Sequence, residues 1–145
     1  MANNYVLRIY FQLAGLFGTA FFYILTIVYL ILVKFDLAIK LIIIVVVLEI
    51  FCGLIKISYT KPRPILMKNK TLVERYYAGS FPSIHSARAA ATLFTLFSLK
   101  PSLFSGFITI FLVSSVGYSR IYFKKHYLTD VVAGIIIGIV LCYLI

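Results

Sequence analysis

Between two long apolar runs near the C-terminus lies the stretch Ser119-Arg120-Ile121-Tyr122-Phe123-Lys124-Lys125-His126-Tyr127-Leu128-Thr129-Asp130. His126 and Asp130 are four residues apart. If a helix begins here they share one face, and the carboxylate can hold one ring nitrogen while the other stays free to attack. His126 is thus a candidate nucleophile with its own orienting group. Arg120, six residues earlier, supplies a planar cationic fork suited to phosphate oxygens. Upstream, Lys56, Arg63 and Pro64 open a polar segment that closes with Ser80-Phe81-Pro82-Ser83-Ile84-His85. Pro82-Ser83 reads as a helix start with Ser83 as N-cap, and the free N–H groups of its first turn make an anion site with His85 at its mouth.

Two histidines, one paired with Asp130, and three cations around a helix start suit phosphoryl transfer. That reaction asks a protein to position a nucleophile, neutralise equatorial oxygens and protonate the leaving oxygen. The chain has four acidic residues in all and no carboxylate cluster of the kind that holds Mg²⁺. Lys56, Arg63 and Arg120 must then supply the positive charge, and the expected chemistry uses no metal and no cofactor.

These residues need a frame, and composition says what kind. The 145 residues are 63% hydrophobic and 12% charged, against about 45–50% apolar and about 25% charged in soluble domains. A single all-α domain embedded in a membrane follows, a polytopic helix bundle over residues 1–145. The net charge of +10 is scattered among apolar runs and does not form a nucleic-acid surface; an anionic lipid headgroup is the better partner. Cys52 and Cys142 lie in apolar runs without metal-ligand spacing and read as buried thiols.

Apolar run lengths give about five spans, near 13–33, 37–57, 83–99, 103–118 and 128–145, with an interfacial lead-in over residues 1–12 and an active-site loop over 58–82. The first span reads as a retained anchor. Glu49 falls inside the second, where a carboxylate faces the bundle interior with a partner, and Arg88 is the candidate. Gly134 and Gly138 form a small-x-x-x-small pair that admits a close neighbour. Alternating the spans across the bilayer puts Lys56, Arg63, Ser83, His85, Arg120, His126 and Asp130 at one interface. Lys61, Lys68, Lys70, Lys124 and Lys125 read as boundary cations.

Lys56-x6-Arg63-Pro64, Pro82-Ser83-Ile84-His85 and Ser119-Arg120-x5-His126-x3-Asp130 together resemble the three-part signature of the type-2 phosphatidic acid phosphatase family, membrane lipid phosphatases related to vanadium haloperoxidases. The resemblance covers Lys56 to Asp130. It implies His126 as a nucleophile that forms a phosphohistidine, Asp130 as its partner and His85 as acid for the leaving group. It further implies Lys56, Arg63, Ser83 and Arg120 as phosphate ligands, together with the backbone at Ile84. The family usually has Gly where this chain has Ile84, so the Ile84 N–H serves only if its φ is negative. Family members commonly have six spans; with five, a flank is open, to be covered by a homodimer partner or by lipid.

A phosphatase is therefore expected, with a non-catalytic membrane scaffold or a haloperoxidase-like enzyme as alternatives. Polyprenyl diphosphates, phosphatidylglycerophosphate and phosphatidate all fit as substrates. On the motif side lie Arg8, Lys56, Lys61, Arg63, Lys68, Lys70, Arg75, Arg120, Lys124 and Lys125, ten cations, against Lys34, Lys40 and Lys100 opposite. That bias puts the site on the cytoplasmic side of the cell membrane.

Overall fold

A computed structural model describes residues 2–145. Among the described residues the chain forms seven helices and no strand: α1 (Ala2–Leu16), α2 (Ala20–Val33), α3 (Phe35–Ser58), α4 (Leu72–Ala78), α5 (Ile84–Phe97), α6 (Leu103–Tyr122) and α7 (Leu128–Leu144). The all-α expectation is met.

The helix α5 is the hub, and its small side chains are the reason. Ala87, Ala89, Ala90 and Ala91 are all fully buried. One side packs with Ile44, Leu48 and Cys52 of α3. The other packs with Val113 and Val116 of α6. Against it runs α7, where a Cβ at Gly134 would overlap the Ser83 carbonyl oxygen and one at Gly138 the Ala87 carbonyl oxygen. The small-residue pair read from the sequence is therefore the seam that brings the start of α7 against the start of α5. Outward, the helices show lipid-like surface, with Leu103, Leu32 and Leu144 at 97%, 82% and 75% exposed.

Among the described residues two helices, α3 with 24 residues and α6 with 20, are long and apolar enough to cross a membrane. Of the lead-in expected over residues 1–12, Met1 lies outside the described residues and the rest is helical, within α1; the first apolar run is split. Tyr5–Leu16 and Ala20–Val33 pass as a membrane-crossing pair only together, bent by 50°. The break has a tertiary cause. At Gly18 the chain crosses the first turn of α5 so closely that a Cβ would lie 2.6 Å from the His85 carbonyl oxygen. Single turns from Ala14, Gly15 and Leu16 carry the chain round it. The loop over 58–82 also contains a helix, α4, started by a capping box between Thr71 and Glu74.

Candidate active site

The site is assembled where α3 and α6 end and where α5 and α7 begin. At the end of α6, Lys124 takes a positive φ of 53°, the left-handed conformation that commonly terminates a helix. The N–H groups of Lys125 and His126 both return to the Arg120 carbonyl, at 2.9 and 3.3 Å. This reversal turns His126 inward, leaving it 4% exposed.

Once inside, the His126 ring meets a backbone carbonyl. Nδ1 lies 2.6 Å from the Ser80 oxygen. A carbonyl can only accept, so Nδ1 carries the proton and the Nε2 lone pair is free. Asp130 Oδ2 is 3.8 Å from Nδ1, outside hydrogen-bond range. The fully buried carboxylate bonds instead to Lys61 Nζ at 2.6 Å and to the Tyr127 N–H at 2.9 Å. The direct bond expected from the i, i+4 spacing is thus corrected. Asp130 sits in the first turn of α7, and there its side chain folds back to cap the helix start. Sequence reasoning missed both Ser80 and Lys61. A carbonyl acceptor has no side-chain signature, and Lys61 looked like any boundary lysine. The capping geometry of Tyr127 to Asp130 was the available hint that the carboxylate was already engaged.

Burial, and then the positive charges of Arg63 and Lys56, push the His126 pKa down to about 3, against an opposing contribution from the Ser80 bond. The ring is neutral at physiological pH.

Lys56, Arg63, Ile84, His85, Arg88 and His126 line a common cavity of about 280 Å³. Arg120 is absent from its wall but joins Arg63, His85 and His126 around an adjoining space of about 350 Å³. Lys56, only 2% exposed, donates to the Gly79 carbonyl. Arg63 makes long contacts to the Gly79 and Lys125 carbonyls, at 3.4 and 3.5 Å. The Nε atoms of Arg63 and Arg120 are buried without a hydrogen-bond partner among the described residues. Burying cationic donors unpaired is costly, and an anion between them would satisfy both.

Ser83 is the N-cap expected, fully buried, accepting the Ser86 N–H at 3.4 Å and sharing a hydrogen with Ser86 Oγ at 2.9 Å. Its own N–H donates to the Asp130 carbonyl at 2.9 Å. Neither Ser83 nor Asp130 lines the cavities that hold His126; both lock the starts of α5 and α7 together. Ile84 opens α5, and Lys124 alone among the described non-glycine residues has a positive φ, so the condition set for the Ile84 N–H is met. Glu49 has the partner expected: Arg88 Nε is 2.5 Å from Oε1, with the Tyr76 hydroxyl donating to Oε2 at 3.4 Å. Among the described residues no group of three or more His, Cys, Asp or Glu side chains is placed to hold a metal ion.

Comparison with curated proteins gives no match. The crystal structure of Aquifex aeolicus LpxE shares the fold: the TM-score is 0.80 at 24% identity, covering 96% of this chain and 84% of that one. The model of the PAP2 superfamily matches residues 37–145, which include every site residue named above. The chain belongs to the PAP2 superfamily and is a phosphatase acting on lipid phosphate esters.

Proposed function

We propose that this phosphatase removes the terminal phosphoryl group of a phosphorylated membrane lipid through a phosphohistidine on His126, without a metal. The observation that carries the reading is a neutral, buried His126 with a free Nε2, beside Arg63 and Arg120, whose buried Nε atoms lack hydrogen-bond partners among the described residues. Lys56, Arg63 and Arg120 take the equatorial oxygens, helped by the Ile84 N–H at the helix start that Ser83 caps. Nε2 attacks phosphorus and forms the N–P bond. The P–O bond to the lipid breaks, and its electron pair stays on the leaving oxygen, which takes a proton from His85, cationic once the bound phosphate dianion offsets the arginine charges around it. Now neutral, His85 draws a proton from water. The resulting hydroxide attacks phosphorus, the N–P bond breaks, and phosphate leaves with His126 restored. Asp130 acts at 3.8 Å as a charge that steadies the cationic ring.

The substrate is a phosphomonoester or diphosphate of a lipid: a polyprenyl diphosphate, phosphatidylglycerophosphate or phosphatidate. The whole chain works as one domain with five crossings, the bent pair α1 and α2 counting as one. The positive-charge bias favours the site facing the cytoplasm, and a second copy of the chain or lipid covers the open flank.

A brief pulse with an activated aryl ³²P-phosphate, in the presence of chelator, tests the two histidine roles. A phenolic leaving group departs without an acid, so His85→Ala should still phosphorylate His126 but hydrolyse the intermediate slowly, because general acid–base help is worth roughly 10²–10⁴-fold. Acid-labile, base-stable label should accumulate. His126→Ala should give neither label nor turnover. If His85→Ala carries no more label than wild type while His126→Ala still turns over, the roles are wrong.

A further inference from the structure

A further cavity, about 390 Å³, opens between α1 and α6 and is lined by His85 but not by His126. Its charged wall is wholly basic: Arg8 from α1, Arg120 from α6 and Lys125 from the turn, with no carboxylate among the lining residues. Arg8 precedes the segment matched by the family model and has no part in the reaction as derived above.

The fold holds Arg8 there. Arg8, Phe11 and Gly15 follow one another at helical spacing on one face of α1. That helix is fixed to α6 by a hydrogen bond of 2.7 Å between Tyr10 Oη and Ser115 Oγ. Phe11 also packs against Tyr118 and Tyr122 with tilted rings, the centroids 5.1 and 4.9 Å away. Gly15 lies beside Arg120, a Cβ there reaching 3.4 Å from its Nη1, an ordinary contact distance. Lys125 already feels the crowding: burial, then the charges of Arg120 and Arg63, lower its pKa. An anion in this cavity would relieve the repulsion.

The side of the cavity says which anion. In-line displacement puts the leaving oxygen opposite the attacking nitrogen, and a space that touches His85 without touching His126 lies on the leaving side. We propose that this cavity is the leaving-group subsite and that Arg8, with Lys125, binds a second phosphate carried by the departing lipid. The inference rests on the phosphohistidine reading above. For a lipid diphosphate, the terminal P–O bond breaks and its electron pair passes to the bridging oxygen. His85 protonates that oxygen, and a lipid monophosphate leaves between Arg8 and Lys125. Phosphatidylglycerophosphate also offers a second phosphate, a phosphodiester one glycerol away. Phosphatidate offers none, and its leaving alcohol gives Arg8 nothing to hold.

The test is kcat/KM in mixed micelles for a prenyl diphosphate, the prenyl monophosphate of equal chain length, phosphatidylglycerophosphate and phosphatidate. The exposed position of Arg8 makes Arg8→Ala tolerable to the fold, and Lys125→Gln is an independent second variant. The diphosphate-to-monophosphate ratio should fall about 10-fold or more in Arg8→Ala, as expected for a lost charged hydrogen bond, and fall in the same direction in Lys125→Gln. A fall confined to the phosphatidylglycerophosphate-to-phosphatidate ratio would assign the subsite to the phosphodiester instead. Ratios within about twofold of wild type in both variants would overturn the proposal and make Arg8 a boundary cation, since a general membrane-binding cation affects all four lipids alike. His126→Ala retaining turnover on the same panel would overturn the direction of attack itself, and the subsite with it.

Discussion

Replacing Asp130 with Asn removes a charge while keeping the shape, and the geometry sets how much activity should be lost. Nδ1 of His126 is held by the Ser80 carbonyl at 2.6 Å, so the tautomer that frees Nε2 survives the substitution. What disappears is electrostatic support for the positive ring of the proposed phosphohistidine. A unit charge at 3.8 Å interacts by roughly 4 kcal/mol at an effective dielectric of about 20. Lys61 lies 2.6 Å from the same carboxylate and opposes that field, and the ring charge is shared by two nitrogens. Roughly half or less remains, about 1.5–2 kcal/mol, which is a 10- to 30-fold loss in kcat. Where a carboxylate itself fixes the tautomer, the same change costs about 10⁴-fold. The assay is steady-state hydrolysis of an aryl phosphate, with folding checked by thermal unfolding in detergent. A loss near 10⁴-fold in folded protein would refute the assignment of tautomer control to Ser80. Lys61→Met alone leaves a buried carboxylate uncompensated and should lower stability more than Lys61→Met combined with Asp130→Asn. The coupling should be near the low end of about 1.5–3 kcal/mol because Lys61 is a quarter exposed.

Arg120→Lys keeps the charge but loses the fork, and should lower kcat/KM about 10-fold or more; near wild-type activity would make Arg120 a boundary cation. Gly134→Val places side-chain carbon against the Ser83 carbonyl and should cost at least about 1–3 kcal/mol in thermal unfolding, whereas Gly106→Ala meets only Phe97 at an ordinary 3.5 Å and should be nearly silent. His126, with its pKa held near 3, should be about 1% protonated at pH 5. Its ¹⁵N ring shifts should then report the neutral Nδ1–H form at pH 5, becoming cationic only as pH falls towards 3; titration near 6.5 would contradict the burial and cation field assigned to it.

The parts of the site that residue type and spacing disclose are those where side-chain chemistry is the signal. His126, His85, Arg63, Arg120 and Lys56 announce phosphoryl transfer, Ser83 announces a helix start, and Gly134 with Gly138 announces a close helix seam. Glu49 demanded a partner inside an apolar run, and Arg88 was the cation at the matching depth. The remainder was hidden for two physical reasons. Where the main chain does the work, as with the Ser80 carbonyl on His126, no residue type marks it. Where tertiary contact overrides a local pattern, the pattern misleads: residues 13–33 read as one uninterrupted apolar run, yet the chain breaks at 17–19 because it must pass the first turn of α5.

That break bears on how the site is built. Had the first apolar run been one straight helix, with the preceding residues lying along the interface, Arg8 would have had no fixed relation to His85. Because the run is split, α1 becomes a separate rod that docks on α6 through Tyr10 and Phe11, and the elbow at Gly18 presses on the backbone of His85. His85, the proposed general acid, is thereby clamped between an N-terminal helix outside the family-matched segment and the α5 turn inside it. A substitution at the elbow should consequently act on chemistry as well as on stability. Gly18→Ala, whose Cβ would lie 2.6 Å from the His85 carbonyl oxygen, should displace His85 and slow phosphomonoester lipids such as phosphatidate, whose leaving alcohol must be protonated. An activated aryl phosphate needs no acid to leave, and its burst of His126 phosphorylation should persist. Equal losses in the lipid reaction and in the aryl burst would show that the elbow supports the fold alone.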